Sequence, residues 1–387
     1  MSVWPLKSLD ELFEIARGGS PRPIDAFITD EADGVNWIMI GDASASSKFI
    51  RQTKKKIRPS GVSKSRLVKP GDFLLTNSMS FGRPYILDTH GCIHDGWLVL
   101  SPKANNLDQG YFYHLLGSPS VFQEFSRLAA GATVKNLNID LVKSVKVALP
   151  PLAEQKRIAA ILDQADELRR KRQRATDRLN QLGQAIFYEM FGDLAGKPRA
   201  TAFSDIAEIQ QSLVDPKQDA HRHKLHISPE HIVGGLGAIN WRMVKTAAED
   251  GIISGKNEFN ENAVLYSKIR PYLNKVALPD RRGICSADMY VIRPKFEKAN
   301  KWFLKAVLMG DDFLTYAASF SNRANIPKLN RKQVEAYKFF CPSVADQDVY
   351  AERIKTIEDQ GRLFLSAGRL ADDLFSSIES RAFRGEL

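Results

Sequence analysis

The chain has 387 residues, 43% of them hydrophobic, which allows two or three packed domains. Its formal net charge of +10 favours a polyanionic partner over a merely soluble basic protein. No apolar run approaches ~18 residues, and the N-terminus lacks a basic segment followed by an apolar core, which argues against a membrane span and against secretion. Three distant cysteines suit a reducing compartment, so we expect a cytoplasmic protein.

The first predicted domain covers residues 1–149 and has an α+β pattern. Apolar runs at 68–80 and 92–102 predict buried strands, and residues 111–131 predict helices interrupted at 117–119. From Lys48 to Lys69 the chain holds nine basic residues and no acidic one. Such a one-sided run predicts a surface that faces phosphates rather than an incidental solvated loop.

Residues 150–194 predict one long helix, without Pro or Gly between Leu152 and Leu182. Apolar residues recur there in alternating steps of three and four, a pattern typical of a coiled coil. Arg172 interrupts this seam, and it either fixes the register of the helix pair or extends to water. The predicted seam residues are Ile158, Ile161, Ala165, Leu168, Leu179, Leu182 and Ile186.

A second α+β domain is predicted over residues 195–341, followed by a second long helix over 342–387. Ser343 and Asp346 predict a capping box at the start of that helix. Gly361 and Gly368, near its middle, are expected to make room for larger side chains opposite. The predicted seam residues of this helix are Ile354, Ile357, Phe364, Leu374 and Ile378.

The two halves of the chain match at one constant offset. Gln347 falls on Gln155, a difference of 347 − 155 = 192, and Gly283 falls on Gly91 at the same offset. A single offset over separate segments indicates an internal repeat of a domain and a helix. The sequence therefore predicts an α+β fold of two similar globular domains, separated by a long antiparallel two-helix coiled coil with pseudo-two-fold symmetry.

Two stretches carry a resemblance to a known family: PPLAEQKRIAAILDQADELR at 150–169 and LFSSIESRAFRGEL at 374–387. With the Leu137-Asn138 and Leu329-Asn330 elements, they make the chain resemble the specificity subunit of type I restriction-modification enzymes. The resemblance implies a non-catalytic reader of double-stranded DNA, in which each target-recognition domain reads one half of a bipartite, asymmetric site. The coiled coil would set the unread spacer.

The resemblance also implies partners. Two modification subunits would dock on the helical regions, and restriction subunits would join that core. S-adenosylmethionine, ATP and Mg²⁺ are expected on those partner subunits and no cofactor on this chain.

Candidate DNA contacts follow from residue chemistry, because Arg suits guanine, Asn suits adenine and Lys mostly contacts phosphate. For each residue an ordinary solvated role stays open, and Asn138 and Asn330 are predicted to be structural turn residues. The candidates of the first domain are Arg51, Lys54, Lys55, Lys56, Asn77, Ser78, Ser80, Phe81 and Arg83. Those of the second are Lys268, Arg270, Tyr272, Asn274, Lys275, Arg281, Arg282, Arg323, Asn325 and Lys328.

Two other classes of protein compete with a DNA reader. A self-contained metal-dependent nuclease would use the Glu154-Gln155-Lys156 triplet, but no acidic partner lies upstream on a suitable strand. His221, His223 and His226 have a spacing that could bind metal, although no carboxylate or cysteine completes a set. A coiled-coil scaffold without nucleic acid is the third class, and the basic run argues against it. No metal site is predicted.

Overall fold

A computed structural model describes residues 4–44, 48–77, 82–129, 137–192, 197–320 and 327–387. The chain forms two compact units: unit one is Met1–Arg170 with Arg369–Leu387, and unit two is Lys171–Gly368. Within the described ranges, no helix is both long enough and apolar enough to cross a membrane.

Unit one is an α+β domain with parts of two long helices. Its strands β1 and β12 pair antiparallel, and two further sheets have the orders β3-β6-β4-β10-β7 and β2-β11-β8-β9-β5. The elements before the first long helix are β1 (Leu6–Ser8), α1 (Leu9–Leu12), β2 (Phe13–Arg17), β3 (Ile28–Thr29), β4 (Val35–Ile38), α2 (Ile40–Ser44), β5 (Phe49–Ile50), β6 (Lys55–Ile57), β7 (Arg66–Val68), β8 (Phe73–Thr76), β9 (Pro84–Leu87), β10 (Gly91–Ile93), β11 (Trp97–Pro102), α3 (Gln109–Gly117), α4 (Pro119–Ala129), α5 (Ile139–Ser144) and β12 (Lys146–Ala148).

The first long helix is α6 (Leu152–Phe191). Unit two contributes sheets of order β14-β24-β21-β22 and β15-β20-β23-β16-β19, and the pairs β13-β25 and β17-β18. Its elements are β13 (Thr201–Ala202), α7 (Phe203–Ile206), β14 (Ala207–Ile209), β15 (Leu213–Val214), α8 (Asp219–Arg222), β16 (Leu225–Ile227), β17 (Ile232–Val233), β18 (Ala238–Ile239), β19 (Lys245–Thr246), β20 (Lys256–Phe259), β21 (Val264–Ser267), β22 (Val276–Ala277), β23 (Gly283–Cys285), β24 (Met289–Pro294), α9 (Lys301–Met309), α10 (Asp311–Ala318), α11 (Arg331–Glu335) and β25 (Lys338–Phe339). The second long helix, α12 (Val344–Arg384), belongs to unit two up to Gly368 and to unit one from Arg369.

The sequence explains several of these boundaries. Strands β8 and β9 are buried throughout, so they appear in the sequence as continuous apolar runs rather than alternating ones. Helix α3 ends at Gly117, and Pro119 opens α4, where a missing N–H costs nothing. At the start of α12, Ser343 Oγ accepts from the Asp346 N–H at 3.2 Å and donates to Asp346 Oδ2 at 2.6 Å, so the Ser343 half of the predicted capping box is present. Asn138 and Asn330 cap α5 and α11, which agrees with the structural role predicted for them.

The long helices lie antiparallel within unit one. Arg157 Nη2 donates to the Leu387 carbonyl oxygen at 3.2 Å, and Arg169 Nε donates to Asp372 Oδ1 at 2.6 Å, so numbers that rise along α6 fall along α12. The core of this unit includes Ile158 from α6 together with Phe375 and other residues of α12 and of the α+β domain. Burial against the domain, rather than helix propensity alone, therefore stabilises this helix pair.

The helices are also antiparallel within unit two. The Phe187 and Tyr350 ring centroids are 5.5 Å apart. Arg172 Nη1 donates to the Ala367 carbonyl oxygen at 2.8 Å, which favours the first of the two roles considered for this arginine. The expectation for Gly361 and Gly368 is wrong, because a Cβ atom at either position would meet no atom within 4 Å.

The predicted seam is correct in part. Ile158 and Ile354 are buried, but Leu168, Leu182 and Leu374 are 50%, 48% and 60% exposed, so their assignment to the seam is wrong. One residue along an α-helix is a rotation of about 100°, and Phe375 turns to the core in place of Leu374. The remaining seam candidates are partly buried: Ile161, Ala165, Leu179, Ile186, Ile357, Phe364 and Ile378.

Candidate nucleic-acid interface

The basic run of unit one borders one five-stranded sheet. Lys55 and Lys56 lie on β6, next to the edge strand β3, and the run continues to β7 at the opposite edge. Side chains of the run are exposed at Arg51, Lys54, Lys55, Arg58, Lys64, Arg66 and Lys69, and partly buried at Lys48 and Lys56. An exposed cationic surface of this kind can neutralise several phosphates, which is the sequence-independent part of DNA affinity.

Local contacts position the first candidates. Arg51 Nε donates to Asp88 Oδ2 at 3.0 Å, and its guanidinium lies 4.7 Å from the Phe49 ring centroid. The Lys54 backbone N–H donates to Asp42 Oδ1 at 3.2 Å, which orders the backbone while the Lys54 side chain stays exposed. These residues therefore suit phosphate contact, although their role in binding DNA stays a prediction.

The loop between β8 and β9 changes one prediction. Asn77 is only 2% exposed, and its side-chain amide donates to the Asp95 carbonyl oxygen at 2.9 Å, so the prediction that it lies near base edges is wrong. An asparagine amide can bind adenine, but the amide of Asn77 instead holds the loop in place. Arg83 is exposed and lies 5.3 Å from the Tyr85 ring centroid, where it can reach a ligand. Ser78, Ser80 and Phe81 lie outside the described residues.

The corresponding loop of unit two, between β21 and β22, contains a 3-10 turn at Pro271–Leu273. Arg270 and Asn274 flank the turn with left-handed φ values of 49° and 47°. Asn tolerates this region and Arg adopts it at a cost, so the surrounding structure holds the loop in a defined shape. Tyr272 at the turn is 62% exposed and offers a ring for stacking.

A second segment packs against this loop. The Arg270 N–H donates to the Pro327 carbonyl oxygen at 2.7 Å, and the Leu329 N–H donates to the Lys268 carbonyl oxygen at 2.9 Å. Burial, followed by the nearby charge of Lys328, lowers the pKa of Lys268. The structure thus brings together Lys268, Arg270 and Lys328, three candidates that are separated in sequence. Arg323 and Asn325 lie outside the described residues.

Two further candidates have structural contacts. Asn274 Nδ2 donates to the Met309 carbonyl oxygen at 3.0 Å, and Lys275 Nζ donates to the Pro229 carbonyl oxygen at 2.7 Å. Both side chains are partly buried and help to fix the loop, while their contact with DNA stays a prediction. Arg281 and Arg282 remain candidates, because their side chains are 51% and 79% exposed.

The sequence marked Gln155 only as a matching position of the repeat and gave it no structural role, yet this residue is 1% exposed at the start of α6. Its Oε1 accepts from the Asp108 N–H at 2.8 Å. Its Nε2 donates to the carbonyl oxygens of Pro150 and Asn106 at 2.9 and 3.2 Å. The side chain thereby joins the helix to the loop that enters α3.

Gln347 repeats this arrangement at the start of α12. Its Oε1 accepts from the Asn300 N–H at 3.1 Å, and its Nε2 donates to the carbonyl oxygens of Pro342 and Lys298 at 3.0 and 3.3 Å. Each partner is 192 residues from its counterpart around Gln155, as 300 − 108 = 192 illustrates. The signal available in the sequence was the AEQ triplet of α6, matched by ADQ in α12.

The features proposed for a nuclease have ordinary roles. Glu154 accepts two hydrogen bonds of 2.7 Å from Arg157, a pairing on the helix surface. His226 Nδ1 lies 3.0 Å from Asp250 Oδ2, and burial lowers the pKa of this histidine. Among the residues the structure describes, no three His, Cys, Asp or Glu side chains are arranged to hold a metal ion.

Known proteins resemble the chain along most of its length. Residues 1–178 match the family model for the type I restriction modification DNA specificity domain. The chain is 28% identical over 301 residues to the type I restriction enzyme EcoDI specificity subunit of Escherichia coli, and the match covers 66% of each chain. It is 21% identical over 401 residues to the MjaVIII specificity subunit of Methanocaldococcus jannaschii, covering 92% of this chain and 86% of that relative.

One solved structure shares the fold. The type I restriction-modification S subunit from M. genitalium aligns with a TM-score of 0.56 at 14% identity, covering 99% of this chain and 96% of that one. Both relatives are specificity subunits of type I restriction enzymes, and residues 1–178 match the model of the corresponding DNA specificity domain, so the chain is similar to specificity subunits of type I restriction-modification systems.

Proposed function

We propose that this chain is the DNA-recognition subunit of a type I restriction-modification complex and catalyses no reaction itself. Each α+β domain reads one half of a bipartite, asymmetric site on double-stranded DNA. The observation that carries the proposal is the repeated hairpin, β8–β9 in unit one and β21–β22 in unit two, whose described exposed side chains differ, with Arg83 in the first and Tyr272 in the second. Different loops on one plan suit different half-sites.

An internal repeat supports the assignment of one reader to each unit. Helix α3 (Gln109–Gly117) and helix α9 (Lys301–Met309) begin 301 − 109 = 192 residues apart. Asn138 and Asn330, the N-caps of α5 and α11, have the same separation, 330 − 138 = 192. In each unit the Leu of the Leu-Asn element donates its N–H to the loop that follows the central strand, to Asn77 in one and Lys268 in the other. The two domains are therefore proposed to present equivalent surfaces.

The long helices are proposed to act as a spacer between the half-sites. Helix α6 has 40 residues, and an α-helix of that length spans about 60 Å. One turn of DNA is about 34 Å, so a spacer of this length would let the two readers lie somewhat over one turn apart on one face of the duplex. An antiparallel pair would hold that distance fixed, and the arrangement leaves the bases between the half-sites unread.

Two modification subunits are proposed to dock on the helical regions. Leu182 and Leu374 are 48% and 60% exposed and differ in number by 374 − 182 = 192. Exposed leucines at equivalent positions of a repeat suit two copies of one partner. Restriction subunits would join this assembly, and S-adenosylmethionine, ATP and Mg²⁺ would act on the partner subunits.

A domain exchange tests the proposal most directly. Residues 195–341 are replaced by the corresponding domain of a relative with a different known site, and the methylated sequence is determined in a host that carries the modification partner. We expect one half-site to change and the other to be retained. The reciprocal exchange of residues 1–149 should change the other half. Altered recognition of both halves by a single exchange would contradict the modular interpretation.

A second measurement separates the reader from a protein scaffold. The chain with its modification partner should bind mixed-sequence duplex with an affinity that falls steeply as salt rises. Binding that is insensitive to salt would favour the scaffold, and metal-dependent cleavage by the isolated chain would favour the nuclease.

A further inference from the structure

An apolar cavity of about 600 Å³ lies within unit two, between α9, the later part of α6 and the earlier part of α12. We call it the unit-two slot. Its wall includes Phe187, Trp302, Tyr350 and Ile354, and this volume is in the range of small-ligand sites. Cavities lined by such side chains favour apolar groups, and an apolar void of only about 150 Å³ can bind benzene.

The repeat explains why the slot is open. Three small residues that line it stand where unit one has large side chains at the same offset of 192. The three pairs are Gly183 for Phe375, Gly361 for Arg169 and Ala306 for His114.

In unit one those large residues form one cluster. Phe375 is 9% exposed in the core. The Arg169 guanidinium lies 4.6 Å from its ring centroid, and the His114 ring centroid lies 6.2 Å from it. In unit one, the Phe375 ring and the Arg169 guanidinium therefore fill the position that is open in unit two.

The charges around the slot favour a ligand that carries a positive charge beside its apolar group. Three carboxylates line it, those of Glu358, Asp311 and Asp312, against the single ammonium of Lys305. Lys305 is 4% exposed and bonded to Glu358, and Asp312 accepts from Arg199 at 2.6 Å. Asp311 is exposed at the rim, where an incoming guanidinium or ammonium can approach it.

The surface beyond the cavity indicates a polypeptide. Tyr188 lines the slot and is 64% exposed, so the apolar surface extends outward from the cavity. A lone ring would leave this surface in water, whereas a bound segment would cover it. Buried aromatic anchors beside arginine are typical of protein interfaces.

We propose that the unit-two slot binds an aromatic side chain of a partner polypeptide, next to an arginine or lysine of that polypeptide that lies against Asp311. The occupant thereby reproduces in unit two the ring and guanidinium that Phe375 and Arg169 supply in unit one. This site is separate from DNA recognition and does not rest on it.

Peptide probes test the chemistry of the slot. The full chain with its modification partner is titrated with a short Gly/Ser-flanked peptide that contains Phe-Arg, and with matched peptides that contain Leu-Arg or Phe-Glu. We expect saturable binding of Phe-Arg and at least about tenfold weaker binding of the other two. A photoreactive benzoylphenylalanine at the ring position should crosslink to residues 179–188 or 350–361. Absence of saturable Phe-Arg binding, or equal binding of Leu-Arg, would overturn the proposal.

Two substitutions close the slot with residues that unit one already uses. Gly361→Arg should fold normally, because a Cβ there meets no atom within 4 Å, whereas a Cβ at Gly183 comes within 3.0 Å of the Ile354 Cδ1 atom. Both Gly361→Arg and Gly183→Phe should weaken Phe-Arg binding at least about tenfold. Gly368→Arg, one heptad further along α12 and equally free of clashes, is the matched control and should bind as the unchanged chain does.

The variants also separate this site from the proposed function. DNA binding should be the same in Gly361→Arg and Gly368→Arg, so a failure of DNA binding in the unchanged chain would affect the proposed function alone. Peptide binding by Gly361→Arg and Gly183→Phe at the affinity of the unchanged chain would exclude the slot as the peptide site.

Discussion

Gln155 and Gln347 make equivalent sets of hydrogen bonds, each joining the first turn of a long helix to the loop before a domain helix. Both side chains are buried, at 1% and 0% exposure. An amide that satisfies a backbone donor and two backbone acceptors fixes position and orientation at once. Each domain is therefore held to its own helix by a polar contact as well as by apolar packing.

Replacing either glutamine by alanine should lower the free energy of unfolding by about 1–3 kcal/mol, because buried backbone groups lose their partners. Urea denaturation of Gln155→Ala and Gln347→Ala measures the effect. Gln164→Ala is the control, since Gln164 is exposed on α6, and it should change stability by less than about 0.5 kcal/mol. A Gln155→Ala chain as stable as this control would show that the contact is dispensable.

The Lys305–Glu358 ion pair links α9 to α12, with side chains 5% and 20% exposed. Lys305→Met should destabilise the chain by about 3 kcal/mol, because the remaining carboxylate stays partly buried without its partner. The double variant Lys305→Met/Glu358→Leu should recover most of that loss, as replaced buried pairs often do. Thermal unfolding compares these variants with Lys298→Met, an exposed control. A double variant no more stable than Lys305→Met alone would contradict this account.

Glu379 of α12 is 8% exposed, and burial raises its pKa from 4.5 to about 7, against the lowering effect of Arg169. A raised carboxyl pKa favours the folded state below pH 4.5, and that stability is lost as the pH rises through 7. The shift corresponds to about 3 kcal/mol.

Glu379→Gln should therefore be more stable than the unchanged chain at pH 8 and close to it at pH 4.5. Denaturant unfolding across this range checks the expectation. Equal pH profiles for the two chains would exclude Glu379 as the titrating group.

Arg270→Gly should separate recognition from stability. Glycine adopts the left-handed φ of 49° without strain, so stability should be unchanged or higher by up to about 1 kcal/mol. Loss of the guanidinium should weaken discrimination in one half-site about tenfold and leave the other half intact. Competition binding with duplexes altered in one half at a time measures this.

Glu297→Gly is the matched control for Arg270→Gly. Glu297 also has a left-handed φ, of 56°, and lies outside the β21–β22 loop. It should gain similar stability without a change in recognition. Weakened discrimination in both halves by Arg270→Gly would contradict the assignment of this loop to one half-site.

The helices and the repeat could be predicted because their signals are local and periodic. Helix α6 runs over Leu152–Phe191, within the predicted range of 150–194, and the offset of 192 reappears in the bonds of Gln155 and Gln347. The sequence predicted less well which apolar residues of each helix are buried. Leu374 and Phe375 are adjacent apolar residues, and only tertiary packing decides which of them enters the core.

The contacts of polar loop residues could not be predicted for a different reason. Asn77 and Asn274 were selected as base readers from their chemistry, yet their amides hold backbone carbonyl groups. An amide that binds a base and one that binds a loop have the same sequence signature, and only burial separates them. Backbone hydrogen bonds between two distant segments bring Lys268 and Lys328 together, and no spacing in the sequence predicts these bonds.

Strand β1 pairs with β12, and β13 pairs with β25, so the chain enters and leaves each α+β domain on two neighbouring strands. A domain with these paired ends could therefore be exchanged for another domain of the same plan without altering its connection to the long helices.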